Sequence, residues 1–177
     1  MSGYPVDLQT LSIGILIGRV VVGLLMAAHG AQKLFGWFGG HGLQGTGEFM
    51  VQLGFRPGRA FAAAAGFGEL AGGLLVALGF LGPIGPALMI SVMIVAILTV
   101  HWNNGLFAMK NGVELPLLYA IAGVVLALVG YGRYSLDSAL GIASLWPATL
   151  TWLVIGAGIA GGFANVAMRR RATPAGA

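Results

Sequence analysis

The chain has 177 residues, 58% of them hydrophobic and 8% charged, with a mean hydropathy of +0.91. A soluble domain carries about 25% charged residues, so this chain cannot cover a globule with polar surface, and the bilayer is the solvent that suits it. The absence of cysteine excludes disulfides, thiolate chemistry, iron–sulfur clusters and Cys-based zinc sites within the chain, and the formal charge of +4 does not mark a nucleic-acid binder, because the basic residues are few and scattered apart from Arg169, Arg170 and Arg171.

Residues 1–8 contain no Lys or Arg, and the apolar run after them is too long for an h-region, so the N-terminus does not read as a cleaved signal peptide. The first apolar segment, residues 11–38, is interrupted by Arg19, His29, Gln32 and Lys33. It exceeds the roughly 20 residues that a helix needs to cross the hydrocarbon core. A Gly-rich loop over residues 39–58 follows, in which residues 46–53 are expected to form a short interfacial helix capped by Thr46. The second segment, residues 60–80, holds one charge, Glu69. The uncharged turn Gly82-Pro83-Ile84-Gly85-Pro86 makes an antiparallel hairpin with the third, residues 86–101, and Pro86 falls in a first turn, where Pro is tolerated.

Turn signals at Asn103-Asn104-Gly105 and Asn111-Gly112 precede a short fourth segment, residues 116–130. The fifth, residues 146–168, ends at the three arginines, and the tail 172–177 is expected to be disordered. Small residues recur four apart at Gly14 and Gly18, Gly68 and Gly72, and Gly158 and Gly162, spacings that let helices approach closely. With five crossings, one face receives Lys33, Arg56, Arg59, Lys110 and Arg169 to Arg171, against Arg133 and Arg19 on the other. The positive-inside rule then puts the C-terminus in the cytoplasm.

Five blocks in order resemble the DoxX family of small bacterial membrane proteins. They are the run from Arg19 to Gly36 with its His29, Gln32 and Lys33; Gly66-Phe67-Gly68-Glu69-Leu70-Ala71-Gly72-Gly73; the run from Ala96 to His101; Asn111-Gly112-Val113-Glu114-Leu115-Pro116 with Tyr119 beyond; and Gly132-Arg133-Tyr134-Ser135-Leu136-Asp137. The resemblance implies an all-α transmembrane bundle with a four-helix core over residues 1–140. Residues 141–177 would add a fifth C-terminal helix and a basic tail. The turn at Gly82-Pro83 departs from the many members that carry a basic residue there. The family is named for a subunit of an archaeal terminal oxidase and thiosulfate:quinone oxidoreductase system, and another member is linked to a mycobacterial membrane complex handling thiol and oxidative stress. A bacterial inner-membrane protein with other protein subunits around it is the corresponding expectation, with quinone as the implied cofactor.

The placement of polar residues points to one site. Counted along the helices, His29 lies roughly 9 Å inside the basic face, Glu69 roughly 13 Å and Tyr119 roughly 5 Å, with His101 and Glu114 at the face itself. Lys33 follows His29 by four residues and shares its side of the helix. Ionisable groups within a span are costly and face the bundle interior or a wet cavity. The expectation is therefore one polar pocket opening at the basic face. His29 and Glu69 form its catalytic floor, Lys33, His101, Glu114 and Tyr119 its mouth, and Phe35, Phe67, Leu70 and Trp102 its walls. His and a carboxylate supply the donor and proton relay that a quinone head needs.

Plainer roles stand beside these. Glu69 and His29 also suit satisfied core groups, His101 and Trp102 interface anchors, and Glu114 a charge matched to a helix start. Arg133 and Asp137 have the spacing of an i, i+4 pair, and Arg19 is placed to snorkel or to pair with Asp7. Haem ligation by His29 and His101 fits poorly, because their depths differ by roughly 9 Å. The functions to separate are a quinone-interacting subunit of a redox complex and an accessory subunit that scaffolds a larger membrane assembly.

Overall fold

The computed structural model describes residues 7–170, so the expectations for residues 1–6, Arg171 and the tail 172–177 lie outside the described residues. The helices in chain order are α1 (Leu8–Phe35), α2 (Gly42–Gln52), α3 (Gly58–Leu78), α4 (Ile84–Ala96), α5 (Glu114–Val129), α6 (Leu136–Ala139) and α7 (Ala148–Ala167), with no strand among the described residues. The fold is the expected all-α transmembrane bundle. Four stretches are long and apolar enough to cross a membrane: α1, α3, α7 and the run Ile84–Asn104, in which α4 continues through a π-helical turn at Ile97–His101. The apolar α5 is shorter, at 16 residues, or about 24 Å of helix.

Asp7 starts α1. Its carboxylate accepts from the amides of Gln9 and Thr10 at 3.2 and 3.0 Å and from the Thr10 hydroxyl at 2.8 Å, satisfying amides that a helix start leaves orphaned. These bonds, the Thr10 hydroxyl first, hold the Asp7 carboxyl below its ordinary value. Arg19 is therefore not paired with Asp7.

The axis of the bundle is the antiparallel pair α1 and α3. A Cβ on Gly23 would lie 2.5 Å from the carbonyl of Gly73, and one on Gly73 would lie 2.5 Å from the carbonyl of Gly23. One on Gly30 would meet the carbonyl of Gly66 at 2.6 Å. Both helices thus place glycine every seventh residue at the crossing, the period of near-parallel packing with a slight left-handed supercoil. Met26, Val76 and Met89 fill the centre with no exposed surface.

Of the small-residue pairs four apart, Gly158 and Gly162 seat α7 alongside α4, against Ala87 and against Ser91 and Ile94. Gly68 and Gly72 admit α4 at Val92 and Leu88. Gly14 and Gly18 face open space.

Two polar devices close the end of the bundle where α3 turns into α4. The buried Arg19 guanidinium donates to the carbonyls of Ala77 and Tyr134, covering a carbonyl of the last turn of α3, where a cation suits the helix dipole. Asp137, 3% exposed, accepts from the amides of Leu81 and Gly82 at 2.8 and 2.7 Å, and its own amide donates to the Gly79 carbonyl at 3.0 Å. Asp137 is therefore a clamp on the turn and not the i, i+4 partner of Arg133, which lies beside the Tyr134 ring. The remaining correction is α2, which begins at Gly42. Thr46 does not cap it; its hydroxyl is directed at the Lys33 carbonyl, 3.4 Å away, tying α2 to the end of α1.

Candidate functional site

At the opposite, basic end the close approach of α1 and α3 has a second consequence. With no side chain on Gly66, a Cβ there would lie 3.2 Å from Lys33 Cβ. Lys33 therefore passes over Gly66 and reaches the next turn of α3, where Nζ donates to Glu69 Oε2 at 2.5 Å. The side chains are 28% and 3% exposed. The carboxylate is interior, and the ammonium keeps contact with the surroundings. This is the one ion pair among the described residues. Without its cation, a carboxylate at this depth would be neutral or unfavourable.

His29 lies one turn before Lys33 on α1. It is exposed and continues the outward apolar stripe of Val21, Leu24 and Leu25. Its ring meets the half-buried Tyr119 of α5 edge-on, with centroids 5.8 Å apart. Nδ1 lies 3.2 Å from Gln32 Oε1, and Gln32 Nε2 donates to the Phe38 carbonyl at 3.1 Å. The histidine is thus held by Gln32 on one side and Tyr119 on the other, on the flank of the bundle where α1 faces α5. Gln32 is the member of this group that sequence reasoning passed over. Its place three residues after His29 in a helix was the available signal.

The other expected members do not converge on this point. His101 Nδ1 is 2.8 Å from the Asn111 carbonyl, which also accepts from Asn104 Nδ2 at 3.1 Å. Glu114 Oε2 accepts from the Ala108 amide at 2.7 Å. Both residues fold the α4–α5 loop on itself. Trp102 is 64% exposed, and Phe35 and Phe67 also face outward, while Leu70 is half-buried.

Two cavities stand out elsewhere. An apolar one of about 190 Å³ lies among α3, α4 and α7, lined by Phe55, Phe61, Ala65, Val92 and Asn165. A more polar one of about 290 Å³ lies at the hairpin end. His29, Lys33 and Glu69 line neither. In place of a pocket opening at the basic face, the residues form a polar track from the flank, at His29 and Tyr119, to the interior, at Lys33 and Glu69. Such a track offers an imidazole for donation or acceptance, a phenol donor, and a carboxylate whose Oε1 lies outside the bond to Lys33.

No curated protein and no solved structure matches the chain. The DoxX family model matches residues 14–102, half of the chain, from the body of α1 through the run that α4 begins. That stretch holds His29, Lys33, Glu69 and His101, and with its apolar helices and its match to the model the chain is a multi-pass membrane protein of the DoxX family.

Proposed function

We propose that this chain is the membrane subunit of a bacterial inner-membrane redox complex and that it meets quinone at the track running from His29 and Tyr119 to Lys33 and Glu69. The observation that carries this is the position of His29. An imidazole stands on the lipid-facing flank, held by Gln32 and Tyr119, beside the pair of a partly exposed Lys33 and a buried Glu69. A quinone moves in the bilayer and approaches from the side. His29 and Tyr119 would bind its carbonyls, and Glu69, linked through Lys33 to the basic end, would pass protons between the head and that face. The outward Phe35 and Phe67 would flank the isoprenoid tail. A separate subunit would bring electrons, since this chain has no thiol. The C-terminus lies in the cytoplasm in this proposal, by the distribution of Lys and Arg. Residues 1–140 form the family core, with α7 added to it.

The test is the quinone content of protein purified in mild detergent, scaled to protein and set against an unrelated membrane protein treated identically. The expected result is near one quinone per chain, lost in His29→Ala while helicity and detergent-solubilised size stay unchanged. Quinone at the control level would replace this function with the scaffolding role in a larger membrane assembly.

A further inference from the structure

The cavity of about 290 Å³ at the hairpin end is walled by the end of α5, the turn at Gly82, the segment from Tyr131 to Asp137 and the first turns of α7. Three aromatic rings line it, from Tyr131, Trp146 and Trp152, together with Asp137 and Thr151. No lysine or arginine does, and Arg19 lies outside the lining, its guanidinium bonded to two carbonyls. The lining also includes Ala127, Leu128 and Val129, the last turn of α5. The carbonyls of these three residues receive no backbone N–H among the described residues, because Gly130 returns its amide to Leu126 and the chain then leaves the helix. Three acceptors at the negative end of a helix dipole therefore belong to residues that line a cavity, together with a carboxylate and three aromatic rings.

We infer that this cavity binds a primary ammonium group. The unpaired carbonyls, the carboxylate and the rings favour a cation that also donates, while the buried indole N–H of Trp146, which has no partner, is left for an acceptor on the same molecule. The dipole attracts positive charge, Asp137 adds its field while staying bonded to the Leu81 and Gly82 amides, aromatic rings suit a cation, and the orphan carbonyls require N–H donors. A quaternary ammonium would satisfy the charge and the rings but not the carbonyls. The level is that of the membrane interface, where Trp and Tyr gather. Two sources are therefore open to the site, the ethanolamine head of a phospholipid and a free alkylamine.

The test uses the whole protein. Native mass spectrometry from mixed detergent–lipid micelles measures retention of phosphatidylethanolamine against phosphatidylcholine, which has the same net charge and no N–H. Tryptophan fluorescence follows titration with ethylammonium chloride. The variants are Trp152→Leu and Thr151→Val, which leave the Asp137 clamp in place. With a lipid source, phosphatidylethanolamine is retained about tenfold better than phosphatidylcholine, and both variants reduce the preference severalfold. With a free-amine source, the lipids are retained equally, but ethylammonium shifts the fluorescence and Trp152→Leu removes the response. Equal retention with no ethylammonium response overturns the inference, as does a lipid preference that survives both substitutions.

Discussion

At the hairpin end the buried charges of Arg19 and Asp137 are directed at backbone groups, whereas at the basic end the partly exposed Lys33 and the buried Glu69 are directed at each other. The difference lies in what each charge is free to do. A charge bonded to main-chain amides or carbonyls fixes the ends of helices and has no freedom left. A charge bonded to a flexible side chain can be released, shared or protonated without moving a helix. His29, on the flank beside the second pair, follows the same pattern, since its partners are the side chains of Gln32 and Tyr119. Tyr131 belongs to neither group: its buried hydroxyl has no hydrogen-bond partner, and burial foremost, with Asp137 adding to it, holds its phenol well above the ordinary value, so it stays neutral.

The contrast is tested most severely at Asp137. Asp137→Ala leaves the amides of Leu81 and Gly82 without their carboxylate, and hydrogen bonds to a charged group contribute about 1.5–3 kcal/mol each. A loss of about 4 kcal/mol, seen as a large fall in Tm in detergent, is expected. An unchanged Tm would remove the clamp from the account. At the basic end Lys33→Met isolates a buried carboxylate, which costs about 3 kcal/mol, but replacing both partners at once removes the problem. The Lys33→Met/Glu69→Met double variant is expected to recover most of that stability in the same unfolding assay. No comparable recovery is expected from Arg19→Leu/Asp137→Leu, since each of those partners serves a different stretch of backbone.

The smallest effect belongs to Asp7. Its carboxyl is held below the ordinary value of 3.8 by Thr10 and Gln9. Its support of α1 is therefore fully present above that value and is lost as pH falls through the lower, folded one. Amide exchange at Gln9 and Thr10 should quicken in acid, relative to the following turns, and Asp7→Asn should remove this pH dependence.

The helices were legible in the sequence because the bilayer demands long apolar runs, and each run appears within three residues of its expected ends. Glycine at four-residue spacing was a poorer guide. It located the seat of α7 on α4 but also marked Gly14 and Gly18, which meet nothing. The closest approach between spanning helices follows the seven-residue spacing of Gly23 and Gly30 against Gly66 and Gly73. That pattern becomes visible only when two helices are read together and in opposite directions. Counting helix depth placed Glu69 inside the basic end with Lys33 and His29 nearby, and these do fall together. It could not separate His101 and Glu114 from them, because depth carries no information on azimuth, and a loop amide or carbonyl is a partner that no side-chain pattern reveals. The same blindness hid the partners of Arg19 and Asp137, all of which are main-chain atoms.

In the function proposed above, the charges of the basic end serve a ligand and those of the hairpin end hold the fold. This division is tested most directly by comparing Glu69→Gln and Asp137→Asn for Tm and bound quinone in one preparation. Glu69→Gln is expected to stay folded, since the partly exposed Lys33 can extend towards the face, and to bind no quinone, while Asp137→Asn suffers the larger fall in Tm. A Glu69→Gln protein that keeps its quinone, or that unfolds as readily as Asp137→Asn, would contradict it.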